Sequence, residues 1–230
     1  MNPTHIALAL ISGVLPALLW LWFWLREDNL HPEPRNRIAK TFLAGLFSVA
    51  IVLPLQMFIA NKTNTGSSEQ YLLWAFIEEF MKFAAAFIVA LSTDIMDEPI
   101  DAVIYMITAA LGFSAIENAL FILKPLADGN ITGLIVTTNL RFIGASLLHI
   151  ASSASIGLCI ALAFYENSKM KHLAILTGLI LATALHTAFN LFIIKTSGLE
   201  TFKVFGVVWL GVVLLMYLFE KVKTIKPHYV

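Results

Sequence analysis

Charge is scarce in this chain: 13% of its 230 residues are Asp, Glu, Lys or Arg, while 59% are hydrophobic. Soluble domains carry roughly 25% charged residues, so an ordinary soluble globule is excluded and the composition belongs to the membrane class. Net charge is zero, which removes the basic field that a nucleic-acid partner requires. The single cysteine, Cys159, stands in a hydrophobic run. A disulfide framework or a cysteine-based zinc site within one chain is therefore excluded. Met1 to His5 hold no Lys or Arg, so the apolar run that follows is expected to stay as a first span and not to be cleaved as a signal peptide. No internal repeat or linker divides the sequence, and residues 1–230 read as a single polytopic membrane domain.

What is abundant is long apolar runs. A spanning helix needs about 20 mostly apolar residues. Candidate spans are Ile6–Leu25, Ile38–Ala60, Tyr71–Leu91, Ile100–Leu123, Leu140–Phe164, His172–Ile194 and a shorter Val204–Phe219. The expected fold is an all-α integral membrane protein, a bundle of about seven transmembrane helices. Trp20, Trp22 and Trp24 close the first span as an interfacial aromatic cluster. The loop Arg26 to Arg37 follows, and Pro32 and Pro34 stop any helix from running through it. Asn61 to Gln70 reads as a second polar loop and Asp94 to Pro99 as an acidic turn. With the N-terminus outside, the inner loops hold nine Lys and Arg residues and the outer loops four. The positive-inside rule then predicts an outside N-terminus and a cytoplasmic C-terminus.

Glu78, Glu79, Lys82 and Glu117 stand inside these spans. A charge at the bilayer centre costs at least about 2.5–3.5 kcal/mol, so four exposed to lipid would cost on the order of 10 kcal/mol. They must face one another, face a water-filled cavity or be partly neutralised. Glu78 and Lys82 are four apart on one helix face, and Glu79 has Lys82 three residues on. Depth adds a stronger constraint. At 1.5 Å per residue, Glu78 and Glu79 lie about 11–12 Å from the outer end of their span and Glu117 about 9–11 Å from that of its own. His186 comes at about 12 Å and His149 at about 14 Å, with Asn190 one turn nearer the surface. Four helices thus bring acids, imidazoles and an amide to one layer. Taken singly, each has a plainer use: Glu78–Lys82 as a structural ion pair, Glu117 as a protonated packing carboxyl, either histidine as an interhelical hydrogen-bonder, Asn190, Ser152 and Ser153 as helix glue. Asp101 reads as a helix cap or interfacial group, and the HPEPR loop as a solvated turn.

These residues also stand in a recognisable order. Glu78-Glu79-Phe80-Met81-Lys82 is an EExxK motif, Phe113 to Glu117 is FxxxE, and His186 opens HxxxN. The sequence resembles the PrsW family of intramembrane proteases, distant relatives of the CAAX-processing and bacteriocin-immunity membrane proteases. The HPEPR loop, the DEPID stretch at Asp97–Asp101 and GFSAIEN at Gly112–Asn118 are similar to that family too. His149 matches the family's first histidine by position and context. The resemblance implies a bacterial inner-membrane endopeptidase acting on a membrane-anchored protein substrate in the lipid bilayer. For the namesake branch it implies site-1 cleavage of an anti-sigma factor in envelope stress.

Peptide hydrolysis needs an activated water, an oxyanion stabiliser and a proton for the leaving amine. The expected catalytic set is Glu78, Glu79, Glu117, His149, His186 and Asn190, with Lys82 in support. Glu78 or Glu79 would activate water with help from His149, and Lys82 would hold the other glutamate ionised. His186 and Asn190 would hold the scissile carbonyl, with Glu117 completing the cage or acting as a second acid. A zinc version would use Glu79, Glu117, His149 and His186. The absence of an HExxH helix and the nearness of Lys82 tilt the sequence reading towards a metal-free glutamate mechanism. Readings from other classes are a transporter or proton relay, which needs polar residues through the inner half, and a non-catalytic binding or scaffold protein, which would have shed a motif member.

Overall fold

The computed structural model describes residues 2–27, 31–195 and 199–226, and every regular element among them is helical. In chain order these are α1 (Pro3–Glu27), α2 (Arg35–Ala60) and α3 (Ser68–Ala86), which a π-helical turn at Phe87–Leu91 prolongs. Then come α4 (Pro99–Ala127) and α5 (Ile131–Leu140), which a second π-helical turn at Arg141–Ala145 joins to α6 (Ser146–Leu162), and finally α7 (Ser168–Lys195) and α8 (Leu199–Val222). Among the described residues, α1, α2, α4, the continuous α5–α6 run, α7 and α8 are the six helices long and apolar enough to cross a membrane. The chain is an all-α, multi-pass membrane protein.

The third expected span, Tyr71–Leu91, is α3, which falls short of that standard by composition, since Glu78, Glu79 and Lys82 interrupt it. It lies against α2 and α7, so its charged face is covered by protein. Other boundaries move for local reasons. The fifth span starts at Ile131 and not at Leu140, because the Asn130 side chain caps it by accepting from the Gly133 amide at 2.8 Å. The Ser67 hydroxyl accepts from the Gln70 amide and starts α3 within the stretch expected to be loop. The last helix, expected to be short, reaches 24 residues, and a Lys203–Glu200 pair one turn apart supports its polar start. Asp28, Asn29 and Leu30 of the first polar loop, and the tail from Pro227 to Val230, lie outside the described residues.

The bundle is organised around α4. Of its most apolar window 72% is buried inside the protein, against 22% for α1 and 28% for α2 and α8. It packs on α1, α2 and α6, while α1 and α8 turn large apolar side chains such as Ile11, Leu15, Leu210 and Val213 outward, as lipid-facing helices do. Close approach of α2 to α4 depends on Gly45 and Gly112. A Cβ on Gly112 would fall inside van der Waals contact with the Phe42 carbonyl, and one on Gly45 would meet the Ala109 carbonyl in the same way. Small residues at helix crossings are how membrane bundles gain dispersion contacts when no hydrophobic force joins helices in lipid. Gly112→Ala is expected to lower stability by about 1–3 kcal/mol through forced separation of α2 and α4. Gly211→Ala, where no atom lies within 4 Å of the added Cβ, is expected to leave the detergent-phase melting temperature unchanged.

Candidate active site

The Ser67 cap sets the register of α3, and that register turns Glu78, Glu79 and Lys82 towards α4, α6 and α7. Their relative exposures are 4%, 0% and 0%. The Lys82 ammonium reaches Glu79 Oε1 at 2.8 Å and His149 Nδ1 at 2.7 Å, lies 3.6 Å from Glu78 Oε2, and sits 4.5 Å over the Phe113 ring. The expected i,i+4 pairing with Glu78 is therefore the longer contact, and the i,i+3 pairing with Glu79 is the hydrogen bond.

This geometry dictates the histidine tautomers. An ammonium only donates, so Nδ1 of His149 accepts, and its Nε2–H must donate to Glu117 Oε2 at 2.9 Å. Arg141 also binds Glu117 Oε2 through Nη2, and its Nε donates to Asn118 Oδ1. Arg141 is the first residue of the second π-helical turn, and such turns recur at functional sites because they shift the phase of the helix. His186 Nδ1 lies 2.7 Å from Glu79 Oε1 and donates to it, which leaves Nε2 as a lone pair. The rings of His149 and His186 meet edge to face at 5.1 Å.

The three glutamates are not equivalent. Glu79 Oε1 accepts from Lys82 and His186, and Oε2 accepts from the Ser153 hydroxyl at 2.7 Å. It is saturated. Glu117 uses Oε2 for both partners, while its side chain keeps 20% exposure. Glu78 Oε1 accepts from Gln56 Nε2 at 2.8 Å, but its buried Oε2 has no donor. That oxygen stands 3.7 Å from His186 Nε2. Glu78 Oε2 and His186 Nε2 face each other beyond direct hydrogen-bond distance, an arrangement that a cation or a shared proton would stabilise. Ligand atoms of Glu78, His149 and His186 lie within 4.8 Å of one another, which suits a single zinc ion. Glu79 holding the far nitrogen of His186 supplies the outer-shell support that metal-ligating histidines use. One adjustment is needed: Lys82 must leave His149 Nδ1 before that nitrogen is free.

The structure thus gathers Glu78, Glu79, Lys82, Glu117, His149 and His186. Asn190, one turn beyond His186, is half-buried and takes no part in these hydrogen bonds. The zinc set expected from sequence paired Glu79 and Glu117 with the histidines. The structure gives ligand geometry to Glu78, because Glu79 is consumed by three donors and Glu117 by Arg141. Gln56 and Arg141 had no role in the sequence reading, and Ser153 stood there only as helix glue. Gln56 was legible as the only amide in the second span, whereas nothing separated Ser153 from the other serines of α6. A polar path through the opposite half is not present on α4. Between Tyr105 and Ser114 its only polar side chain is Thr108, whose hydroxyl donates to the Ile104 carbonyl.

Residues 33–219 match a family model described as "PrsW family intramembrane metalloprotease". Similar curated proteins are all named "Protease PrsW". That of Geobacillus kaustophilus is 30% identical over 49% of this chain and 51% of its own length. That of Bacillus subtilis is 27% identical over 50% and 54%, so the chain spans about half the length of these relatives. The protein of Halalkalibacterium halodurans is 25% identical over 82% of this chain and 84% of its own. No solved structure matches the chain.

Because Glu79 is the saturated anchor of the cluster, Glu79→Ala is expected to cost about 3–5 kcal/mol, the cost of stripping one partner from a buried ion pair. Asn190→Ala is expected to cost under about 1 kcal/mol. Thermal unfolding of both variants in detergent micelles reads the difference; equal losses would mean that the cluster does not hold the helices together.

Proposed function

The chain belongs to the PrsW family of intramembrane metalloproteases, and from that premise we propose that it is an endopeptidase that hydrolyses membrane-anchored protein substrates in the layer of Glu78, His149 and His186. The observation that carries this reading is the donor-free Glu78 Oε2 facing the lone pair of His186 Nε2. Glu78, His149 and His186 would hold a zinc ion. When bound, zinc supplies a Lewis acid that polarises the scissile carbonyl and acidifies water. The family's description as metalloproteases and this donor set together outweigh the sequence-based preference for a metal-free mechanism. That preference rested on the absence of an HExxH helix and on Lys82, whose four-carbon stem lets the ammonium swing away.

The protein's own groups then divide the work. Glu79 fixes the ring of His186 through Nδ1 and keeps Nε2 turned towards Glu78. Glu117 borders the part of the cluster that keeps contact with solvent, and its Oε1 accepts no hydrogen bond among the described residues. It takes the proton of the attacking water there and returns it to the departing amide nitrogen. Arg141 holds Glu117 against His149 and offers a guanidinium beside the developing oxyanion. Phe113 and the walls of α4 keep bulk water from the buried side. Lys82, displaced from His149, remains paired with Glu79. In this reading the protein sits in a bacterial inner membrane, with the N-terminus outside as the positive-inside rule favours, and a single-span protein such as an anti-sigma factor is the substrate class that the family resemblance suggests.

Purified protein in liposomes with single-span bacterial membrane proteins is expected to cleave at least one of them. Glu78→Gln, His186→Ala and a zinc chelator are each expected to abolish that cleavage. Cleavage that survives all three would place the chemistry elsewhere. Lys82→Met separates the metal from the ammonium. Without zinc it is expected to melt below the wild type, since the carboxylates lose their counter-ion. In calorimetric titration it is expected to bind zinc about ten-fold more tightly or better, a change of the size metal-site neighbours usually produce. Equal zinc affinity in the two proteins would refute competition between Lys82 and the metal.

A further inference from the structure

A second group of acids lies at the opposite end of α4. Sixteen residues separate Asp101 from Glu117, or about 24 Å along the helix. Here the HPEPR loop meets the DEPID stretch, two motifs that the proteolytic site does not use. Asp101 is the N3 residue of a capping box: its Oδ2 accepts from the amides of Asp97 at 2.9 Å and Glu98 at 2.8 Å, with Pro99 beginning the helix. Capping explains Oδ2 and nothing more. Asp101 is 0% exposed and its Oδ1 has no hydrogen-bond donor. The carboxyl of Glu33, from the HPEPR loop, packs against that of Asp101, and the Tyr105 hydroxyl already donates to Glu33 Oε2. A buried oxygen without a donor costs about 1–3 kcal/mol, and more when it carries charge.

Three of the basic side chains at this pole have other hydrogen-bond partners or lie at the surface. Arg37 donates to the Val89 carbonyl at 3.1 Å, and Lys223 donates to Glu220 and to the Glu27 carbonyl. His31 pairs with Glu98 at 2.8 Å from an exposed position. Ligand oxygens of Asp97, Glu98 and Asp101 lie within 4.8 Å of one another, a span that two oxygens at about 2.4 Å on either side of one ion would fill. A cavity of about 800 Å³ lined by Glu33, Asp94, Asp97 and Glu98 opens onto them, giving an ion both entry and room for its remaining waters.

We propose that Glu33, Glu98 and Asp101, with Asp97 at the rim, form a binding site for a hard divalent cation that ties the α1–α2 loop to the start of α4. All-oxygen donors select magnesium, manganese or calcium over zinc. The competing explanation is one proton shared between Glu33 and Asp101, which needs no ion.

Manganese is the probe, counted by the loss of its free-ion electron paramagnetic resonance signal. The full chain is used in lipid nanodiscs, carrying Glu78→Gln and His186→Ala so that the proteolytic site does not contribute. About one equivalent is expected to bind, as for a single site, and to raise the melting temperature, because the ion binds only the folded form. Asp101→Asn, Glu33→Gln and the exposed Asp97→Asn are each expected to weaken binding about ten- to hundred-fold. Asp97→Asn guards against a variant that simply fails to fold. No bound manganese would overturn the proposal in favour of the shared proton. Binding that none of the three substitutions weakens would overturn it as well.

Discussion

An ammonium group without access to water organises the centre of this molecule. Lys82 is 0% exposed, and its charge is tolerable only because Glu79, Glu78, His149 and the face of Phe113 surround it. An uncompensated buried ion costs several kcal/mol after relaxation, comparable with the whole stability of a domain. The helices that supply these partners therefore cannot drift apart. α3 brings the glutamates, α4 the aromatic face and α6 the imidazole, so one charge holds three helices in a fixed azimuth. His186 on α7 joins through Glu79. The same cage that makes the lysine bearable is rich in lone pairs. A divalent ion can take over the role of the ammonium without rebuilding the walls.

That exchange depends on the frame staying rigid, and α4 supplies the rigidity. Its residues from Pro99 to Ala115 are buried throughout, and glycines let the backbone of α2 lie directly on it. Tight crossings of this kind leave few alternative packings. Glu117 and Phe113 ride on the same helix as Asp101 and Tyr105, so any displacement at one pole is carried along a stiff rod. The apolar stretch between them insulates one polar pole from the other.

Much of this was legible in the residues. Apolar runs located the six apolar crossing helices and α3 to within a few residues, apart from the fifth expected span, which starts earlier under an asparagine cap. Rise per residue was enough to bring Glu78, Glu117, His149 and His186 to a common depth, because depth depends only on counting along each helix. Azimuth depends on how helices rotate against one another, and counting does not supply it. This is why the sequence could not separate Glu78 from Glu79, though they differ by about 100° of rotation. It is also why Gln56 and Arg141 escaped notice. Both stand in spans with no periodic partner, and only the crossings of α2 and of the second π-helical turn bring them to the glutamates. Asp101 was readable as a cap from its spacing alone, but its bare second oxygen was not, since Glu33 lies 68 residues earlier.

The acids of the layer also constrain each other through charge. Three carboxylates face two cations, Lys82 and Arg141, with both histidines able to remain neutral through the bonds described above. One negative charge is left over, and Glu78 has the fewest donors to offset it. Glu79 cannot relinquish its three hydrogen bonds cheaply, and Glu117 is pinned by a guanidinium. An incoming cation therefore meets its best partner at Glu78 Oε2. The division of labour among three chemically identical side chains follows from which neighbours each has already satisfied. Reactivity is set here by what the other two glutamates are prevented from doing.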